Sequence, residues 1–356
     1  MKQRIPGLFL ACSGLLVLSC ATEQQHRLAL ADVKVGPRVP TLMGLSPELE
    51  TRILSLRPDH VTEAQVREVL SHAPAPQILC IHGGLLPIKW GMNSFANFLI
   101  ELGYPEASIR NPGNGDLTYA YYHRSELIAG TVAWHYERTG LRPILVGHSM
   151  GGIQAVRVLY RLAGDTETRI PVWNPVTGKA EPRDEIVDPL TGVTRPVVGL
   201  QVGFVAVSVA GGMGRIVPNE WDMNGKLRAI PDSVDEFVGF QKGMDLLGGD
   251  YLGFGPANEY HATGRACVRN VRLPSTCTHS EILYVRSLLD HQELKSWIND
   301  YNPAFAATDT APHETDFGSK SGRALWAAEV WYGIKKHWVL ELQRLIRARH
   351  AKTNDS

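Results

Sequence analysis

The sequence predicts an α/β fold in which a mostly parallel central sheet is flanked by helices. Two observations predict it: short apolar runs end in glycine turns, and helical patterns of roughly 10–15 residues alternate with them. Strands and helices in this alternation form right-handed βαβ units, which build parallel sheets. The chain has 356 residues, of which 44% are hydrophobic and 20% charged. This is ordinary globular composition, and the length allows one enlarged domain.

The elements follow from start and stop signals along the chain. Ser46-Pro47 begins one short helix, and Thr62 with Gln65 forms a capping box that begins another. The segment 77–84 is a buried apolar run ending in a glycine pair, which indicates a strand. Beyond it, strands are predicted at 143–147, 197–212 and 265–274. Two helices end at Gly103 and Gly140, a third begins at residue 150, and two more span 233–247 and 322–350.

Two of these segments need comment. Apolar residues recur at helical spacing within 233–247, although two glycines weaken the helix pattern. The segment 165–196 is polar and proline-rich, and it contains the similar stretches NPVTG and DPLTG. Pro-x-Thr-Gly is turn chemistry, so this segment is interpreted as an inserted hairpin or excursion rather than a repeat.

The first 20 residues have the features of an export signal. Lys2 and Arg4 precede an apolar run over 5–18, and Ser19 and Cys20 follow. A charged start, a short apolar segment and a small residue before the cut are typical of secretory signals. Cys20 after Ser19 resembles the lipobox of bacterial lipoproteins, in which that cysteine is acylated. We therefore expect an exported protein of the bacterial cell envelope, anchored to a membrane through Cys20; a plain signal peptide or a buried helix is the alternative.

Charge and cysteine content exclude several classes. Lysine plus arginine equals aspartate plus glutamate at 36 each, so nothing favours a nucleic-acid partner. Neither C-x-x-C nor H-E-x-x-H occurs, so no metal site and no cofactor are predicted. An oxidising compartment permits a disulfide between Cys267 and Cys277, and the alternative is three buried thiols that include Cys80.

A serine lies in the stretch Gly147-His148-Ser149-Met150-Gly151, between a strand pattern and a helical pattern. A bare G-x-S-x-G motif is weak, so its context decides. A serine at the tip of a strand-to-helix turn is held in a strained conformation, and glycines are needed where the chain passes close to itself. The helix that follows points its N–H groups at developing negative charge. Ser149 is therefore predicted to be a nucleophile rather than part of an ordinary turn.

The stretches PILVGHSMGG and ILCIHGG, with a W…F…L…GY helix segment, resemble the lipase and esterase branch of the α/β-hydrolase superfamily. The resemblance covers roughly residues 77–300. It implies an eight-stranded, mostly parallel sheet, with the nucleophile after the fifth strand of the conventional numbering and an acid and then a histidine further along. We expect the hydrolase domain at 77–350, after a signal at 1–20 and a leader with short helices at 21–76.

The resemblance also implies an oxyanion hole made of two backbone N–H groups. They belong to Met150, directly after the nucleophile, and to Gly84, after the His-Gly pair that ends the third strand. His279 follows an apolar strand and a proline break, where an imidazole can reach Ser149 and accept its proton. His291 is the second choice. Of the remaining histidines we expect the two in the turn motifs, His82 and His148, to shape those turns.

The acid is predicted less directly. Asp250 precedes His279 at the spacing that the resemblance implies and follows a glycine pair, as the loop after the seventh strand would. Its expected role is to orient the histidine and stabilise the imidazolium. The preceding residues read as a helix, which leaves that strand without clear residues. The alternatives are therefore Asp245, Glu259 and Asp222.

These observations predict a serine hydrolase that cleaves carboxylic esters through an acyl-enzyme on Ser149, with a small-molecule or lipid ester as substrate. The inserted segments 165–196 and 211–250 are expected to form a cap over the site. Acyltransferase and thioesterase activities use the same triad and stay open, as do amide or peptide hydrolysis and a lipid-anchored binding protein without activity. The sequence does not fix the oligomeric state.

Overall fold

The computed structural model describes residues 45–165, 169–210, 226–243, 245–248, 259–274, 276, 278–304 and 314–354. The expected signal with Cys20 lies outside the described residues, as do Asp222, Asp250 and Cys277. Among the described helices, none is long and apolar enough to cross a membrane.

The centre of the molecule is a parallel sheet to which the described residues contribute six strands, where the resemblance implies eight. Its strands are β1 (Ile78–His82), β2 (Tyr119–Ala120), β3 (Ile144–His148), β8 (Val202–Ser208), β10 (Val234–Lys242) and β12 (Cys267–Leu273). Their order is β12-β10-β8-β3-β1-β2, and every neighbouring pair is parallel. The predicted α/β class is confirmed. All six strands therefore end at one edge of the sheet, which we call the carboxyl edge, and begin at the opposite amino edge.

Helices cover both faces of this sheet. They are α1 (Pro47–Ser55), α2 (Glu63–Glu68), α3 (Leu86–Glu101), α4 (Ser125–Thr139), α5 (Met150–Ala163), α6 (Gln292–Asp300) and α7 (Ser321–Asn354). Shorter 3₁₀ turns lie at Leu70–His72, Glu106–Ser108, Glu281–Leu283, Arg286–Asp290 and Glu314–Lys320. The predicted capping box is present, with Thr62 and Gln65 each bonded to the other's backbone. Gly140 ends α4 in the left-handed conformation, as its position predicts.

Two apolar cores lie on the two faces of the sheet. One joins α1, α2, α3, α6 and α7 to the side chains of Ile144, Val146 and Phe204. The other joins α4 and α5 to Leu145 and Val205. Alternate residues of each strand point to opposite faces, so strands buried on both sides are apolar throughout. The long helix α7 packs its tryptophans into the first core, all nearly fully buried: Trp326, Trp331 and Trp338.

The predicted helix at 233–247 is wrong, because residues 234–242 form β10 between β8 and β12. Phe237 and Phe240 are three positions apart, a spacing that places them on one face of a helix but on opposite faces of a strand. Phe237 packs in the second core and Phe240 in the first. A Cβ on Gly239 would lie 2.2 Å from the ring of Tyr260, so this glycine serves a close approach within the sheet.

The inserted segment consists of two antiparallel hairpins, as its turns predict. They pair β4 (Trp173–Asn174) with β5 (Lys179–Ala180), and β6 (Glu185–Val187) with β7 (Thr194–Pro196). A further short parallel pair joins β9 (Ala229–Ile230) and β11 (His261–Ala262). The side chains of Asn174 and Asp188 accept backbone N–H groups two residues ahead, which closes each turn.

The cap interpretation of 165–196 is wrong. This segment connects the end of α5 to the start of β8, so it lies at the amino edge, whereas Ser149 follows β3 at the carboxyl edge. Its hairpins pack on α4, where the guanidinium of Arg183 bonds both carboxylate oxygens of Glu137. The second expected insertion, 211–250, is also too long, because β10 belongs to the sheet; residues 211–225 lie outside the described residues.

Candidate active site

The turn between β3 and α5 holds Ser149 in a strained conformation. Its φ is 56° and its ψ is −127°, a region that residues with a side chain rarely adopt. The backbone N–H of Ser149 donates to the carbonyl of Ser208 on the neighbouring strand at 2.9 Å. Such outliers persist where the surroundings fix them and cluster at functional sites. The geometry is that of a nucleophile at a strand-to-helix elbow.

The glycines around this serine are required by space. A Cβ on Gly147 would lie 2.6 Å from the carbonyl oxygen of Gly151, and one on Gly151 would lie 2.0 Å from that of Ile81. Gly83, in the loop after β1, lies directly against the nucleophile, and a Cβ there would be 2.9 Å from the Cβ of Ser149. These approaches confirm that the glycines on both sides of Ser149 are needed for a close passage of the chain.

A histidine and a carboxylate form a buried pair beside this turn. The Nδ1 of His279 lies 2.8 Å from Oδ2 of Asp245, and the two side chains are 6% and 2% exposed. Asp245 follows β10 and His279 follows β12. Burial acts to raise the pKa of Asp245, but the hydrogen bond and charge of His279 outweigh it, and the pKa lies below its ordinary value. A carboxylate at Nδ1 leaves Nε2 to accept a proton.

The base also lies next to the nucleophile's own strand. The ring centroids of His279 and His148 are 4.9 Å apart, and His148 directly precedes Ser149. The Nε2 of His279 is buried, and it has no hydrogen-bond partner among the described residues. The structure therefore places the ring of the predicted base against the residue that precedes the predicted nucleophile, and a carboxylate bonds the Nδ1 of that base.

The acid found here is not the first choice of the sequence. Asp245, which was an alternative, occupies the position predicted for Asp250, and Asp250 itself lies outside the described residues. The sequence analysis interprets the strand that should carry the acid at its end as the helix 233–247. Asp245 falls within that predicted helix, which is why Asp250 is preferred there. Glu259 is exposed and precedes β11, and Asp222 lies outside the described residues.

The expected oxyanion donors belong to the turn that carries the nucleophile and to the loop after β1, whose Gly83 packs against it. Met150 begins α5, so its N–H belongs to the first turn of the helix, where no intrahelical acceptor exists. Gly84 follows β1 and is exposed, and a Cβ on it would lie 3.3 Å from the ring of Tyr121. Neither N–H has a hydrogen-bond partner among the described residues. Their use as a pair stays a prediction.

The other histidines have separate environments. The Nδ1 of His82 lies 2.8 Å from the carbonyl of Gly83, and burial lowers its pKa. His148 is fully buried, and its Nδ1 lies 2.8 Å from Oγ of Ser208. His291, the second choice for the base, is exposed and lies 2.6 Å from Nζ of Lys320. Ser208 is a site residue that the sequence analysis missed, because nothing in the local pattern marks it.

Several large apolar side chains are exposed at the carboxyl edge of the sheet. Eight such side chains are exposed among the described residues, and six lie in the three segments that follow β1, β2 and β10 at the carboxyl edge. We call these six the apolar rim: Leu85, Leu86, Trp90, Tyr122, Leu246 and Leu247. The other two are in the hairpin turns at the amino edge. Exposed apolar groups concentrated in one place indicate a binding surface.

Among the described residues, the cysteines and titratable clusters add no second site. Cys267 is an exposed free thiol and Cys80 a buried one, so the expected disulfide to Cys277 is not confirmed. Burial raises the pKa of the Cys80 thiol to about 12. Within the described ranges, no group of three or more His, Cys, Asp or Glu residues could hold a metal ion.

Comparison with known proteins agrees with this fold. The sequence model of the alpha/beta hydrolase family matches residues 78–349, which is more than half of the chain. Among curated proteins, no sequence matches it. The matched range runs from the first strand of the sheet through nearly all of α7.

Proposed function

Because the chain belongs to the alpha/beta hydrolase family, we propose that it is a serine hydrolase that cleaves carboxylic esters through an acyl-enzyme on Ser149. One observation carries the proposal: a buried His279–Asp245 pair, joined at 2.8 Å, packs against His148, which directly precedes a serine held at positive φ. A nucleophile, a base beside it and a group that orients the base are the parts that acyl transfer needs.

Each residue has one role in the proposed reaction. The Oγ of Ser149 attacks the ester carbonyl while Nε2 of His279 accepts its proton, and Asp245 stabilises the imidazolium. The N–H groups of Gly84 and Met150 stabilise the oxyanion of the tetrahedral intermediate. When the intermediate collapses, His279 gives its proton to the leaving alcohol. Water then attacks the acyl-enzyme by the same steps and releases the carboxylic acid.

The apolar rim supports esters with an apolar acyl chain as the substrate class. Its side chains lie in the segments that follow β1, β2 and β10, at the same edge of the sheet as Ser149, so we expect an acyl chain bound at Ser149 to contact them. Removing an apolar chain from water at such a surface contributes roughly 0.8 kcal/mol per methylene. A lipid ester therefore binds this surface more tightly than a short, polar one.

Export and membrane anchoring belong to the same proposal. The support is the sequence alone: a charged start, an apolar run over 5–18 and Ser19 before Cys20. Acyl chains on Cys20 would hold the hydrolase at a lipid surface where water-insoluble esters are present. Mass spectrometry of the N-terminal peptide tests this, since the parent should carry diacylglycerol on Cys20 and a Cys20→Ala variant should not.

A serine-directed fluorophosphonate probe tests the catalytic proposal. The full-length protein in detergent should be labelled at Ser149, and Ser149→Ala and His279→Ala should not be labelled. Ser233→Ala and His291→Ala are matched controls, because each changes the same residue type away from the site, and both should be labelled like the parent. A folded parent that is not labelled would contradict the proposal.

A further inference from the structure

Ser208, at the end of β8, contacts the nucleophile and its neighbour at once. Its carbonyl accepts the backbone N–H of Ser149 at 2.9 Å, and its hydroxyl lies 2.8 Å from Nδ1 of His148. The register of the sheet explains this double contact, because His148 and Ser208 are direct partners in the parallel pairing of β3 with β8. One residue of the neighbouring strand thus fixes both residues that end the nucleophile's strand.

His148 in turn supports the general base. Its ring lies 4.9 Å from that of His279, centroid to centroid, at an angle of 56°. His148 is fully buried, Ser208 is 1% exposed and His279 is 7% exposed. The imidazole of His279 is therefore held from two sides, by Asp245 at Nδ1 and by the ring of His148 against its own ring.

The backbone is strained at both ends of this contact. Among the described residues other than glycine, only Ser149 and Val209 have positive φ, at 56° and 40°. Each directly follows one member of the His148–Ser208 pair. For a β-branched valine such a conformation is a true outlier, and it persists only where neighbouring contacts impose it. The N–H of Val209 donates to the carbonyl of Phe240 at 3.0 Å, which ties the strained turn to the next strand.

We propose that Ser208 and His148 are positioning residues that hold the nucleophile and its general base as one rigid unit. The inference rests on the proposed function. Ser208 sets the position of His148 through the hydroxyl, and the ring of His148 limits the movement of His279 beside the turn that carries Ser149. A loss of about 1 Å in the alignment of reacting groups can cost roughly a hundredfold in rate.

The environment of His148 suits this role. Burial, followed by the nearby charge of His279, holds the pKa of His148 well below its ordinary value. The ring therefore stays neutral and places no second positive charge beside the imidazolium that forms during acyl transfer.

Hydrolysis of p-nitrophenyl butyrate by the full-length protein tests the positioning role. Ser208→Ala should lower kcat by about 10- to 100-fold and change KM by less than about threefold, because the substrate does not touch this residue. Ser208→Thr keeps the hydroxyl and should restore kcat to within about threefold of the parent. His148→Phe keeps a ring and removes the nitrogen, and adding Ser208→Ala to it should cause little further loss, since both changes break one contact.

Ser233→Ala is the matched control for a purely structural role. Ser233 is also buried and donates its hydroxyl to a backbone carbonyl, that of Leu159, at 2.7 Å. Ser233→Ala should lower the unfolding midpoint and leave kcat unchanged. If Ser208→Ala behaves in the same way, or if the two changes at Ser208 and His148 are additive, the inference is overturned.

A second variant and a second measurement complete the test. Ser208→Cys, which has nearly the same shape and a weak hydrogen bond, replaces Ser208→Ala if that variant does not fold, and parental kcat in it would overturn the inference. Labelling by the fluorophosphonate probe separates the two proposals. An unlabelled parent contradicts the hydrolase proposal itself, whereas a Ser208→Ala variant labelled at the parental rate contradicts only the positioning role.

Discussion

The two edges of the sheet differ in how their polar and strained groups are satisfied. At the amino edge Arg142, just before β3, donates its backbone N–H and its guanidinium to Glu341 at 2.7 and 2.8 Å, and its guanidinium to Asp235 at 2.9 Å. At the carboxyl edge, Ser149 and Val209 have positive φ. There too the buried Nε2 of His279 has no hydrogen-bond partner within the described part of the chain.

This difference separates a stabilising charge network at the amino edge from the proposed catalytic groups at the carboxyl edge. Glu341 is fully buried, and burial acts to raise its pKa, but Arg344 and Arg142 outweigh that effect and hold the pKa below its ordinary value. Such a closed network stabilises the amino edge. Strain and unpaired polar atoms at the other edge cost free energy and persist because the rest of the structure holds them. The proposed catalytic groups lie at the edge that carries this backbone strain.

The largest expected effect is a loss of kcat from a substitution at the carboxyl edge. Asp245→Asn should lower kcat by about a thousandfold or more, because an amide no longer fixes the reactive tautomer of His279. The unfolding free energy should change far less than the activity. Steady-state ester hydrolysis measures the loss, and Asp250→Asn is the direct comparison because it is the competing assignment. A large loss in Asp250→Asn with normal activity in Asp245→Asn would contradict the assignment made from the structure.

A substitution at the amino edge should lower the unfolding free energy and leave kcat unchanged. Arg183→Ala removes the guanidinium that pairs with Glu137, whose side chain is fully buried. Removing the cationic partner of this buried carboxylate, which keeps the backbone N–H of Val187, should lower the unfolding free energy by about 3 kcal/mol. Arg169→Ala is the control, since Arg169 is 88% exposed and pairs with Asp184 at 2.8 Å, and it should cost at most about 1 kcal/mol.

Urea unfolding measures both variants, and kcat of the folded fraction should stay at the parental value. If Arg183→Ala lowered kcat without lowering stability, the hairpins would act on the site and the separation of the two edges would be wrong.

The elbow could be predicted from sequence because its constraints are local. Gly147 and Gly151 meet each other within five consecutive residues, and the strand before them and the helix after them follow from periodicity. His279 was predicted for a similar reason, since it follows a recognisable strand and a proline. These features depend on chain neighbours that the sequence displays side by side.

The remainder depends on neighbours distant in the chain. The apolar spacing of Phe237 and Phe240 suits either a helix or a strand, and only pairing with β8 and β12 decides between them. That ambiguity moved the predicted acid from Asp245 to Asp250. Ser208 acquires its role from the register with His148, sixty positions away. The inserted hairpins were predicted correctly, but their side of the sheet depends on strand direction, which the turn motifs do not contain.

A smaller effect, on stability, is expected at the strained turn. Ser149→Gly should be more stable than Ser149→Ala by about 1 kcal/mol or more, because glycine adopts a φ of 56° without the steric cost that a Cβ imposes. At Ser233, where φ is not positive, the usual order should hold and the alanine variant should be the more stable. Urea unfolding of the glycine and alanine variants at both positions measures which of each pair has the larger unfolding free energy. The same order at both positions would show that the turn is not strained.

The smallest expected effect concerns the apolar rim. Trp90 is 55% exposed in the first turns of α3, close in sequence to the proposed oxyanion residue Gly84. Trp90→Ser should raise KM for a long-chain p-nitrophenyl ester by about fivefold, since partial loss of apolar contact costs about 1 kcal/mol. KM for the acetate ester should stay within about twofold, because its acyl chain is too short to reach the rim.

Val176→Ser is the matched control for that change. Val176 is 54% exposed in a hairpin turn at the amino edge, so its loss should leave both KM values unchanged. Equal effects of the two substitutions would mean that exposed apolar area acts on the assay without regard to position. An effect of Trp90→Ser on the acetate ester as large as on the long-chain ester would mean that Trp90 shapes the oxyanion loop rather than contacting the acyl chain. Only a change that grows with acyl length assigns the rim to substrate binding, because the buried apolar area grows with each methylene while the reacting carbonyl stays the same.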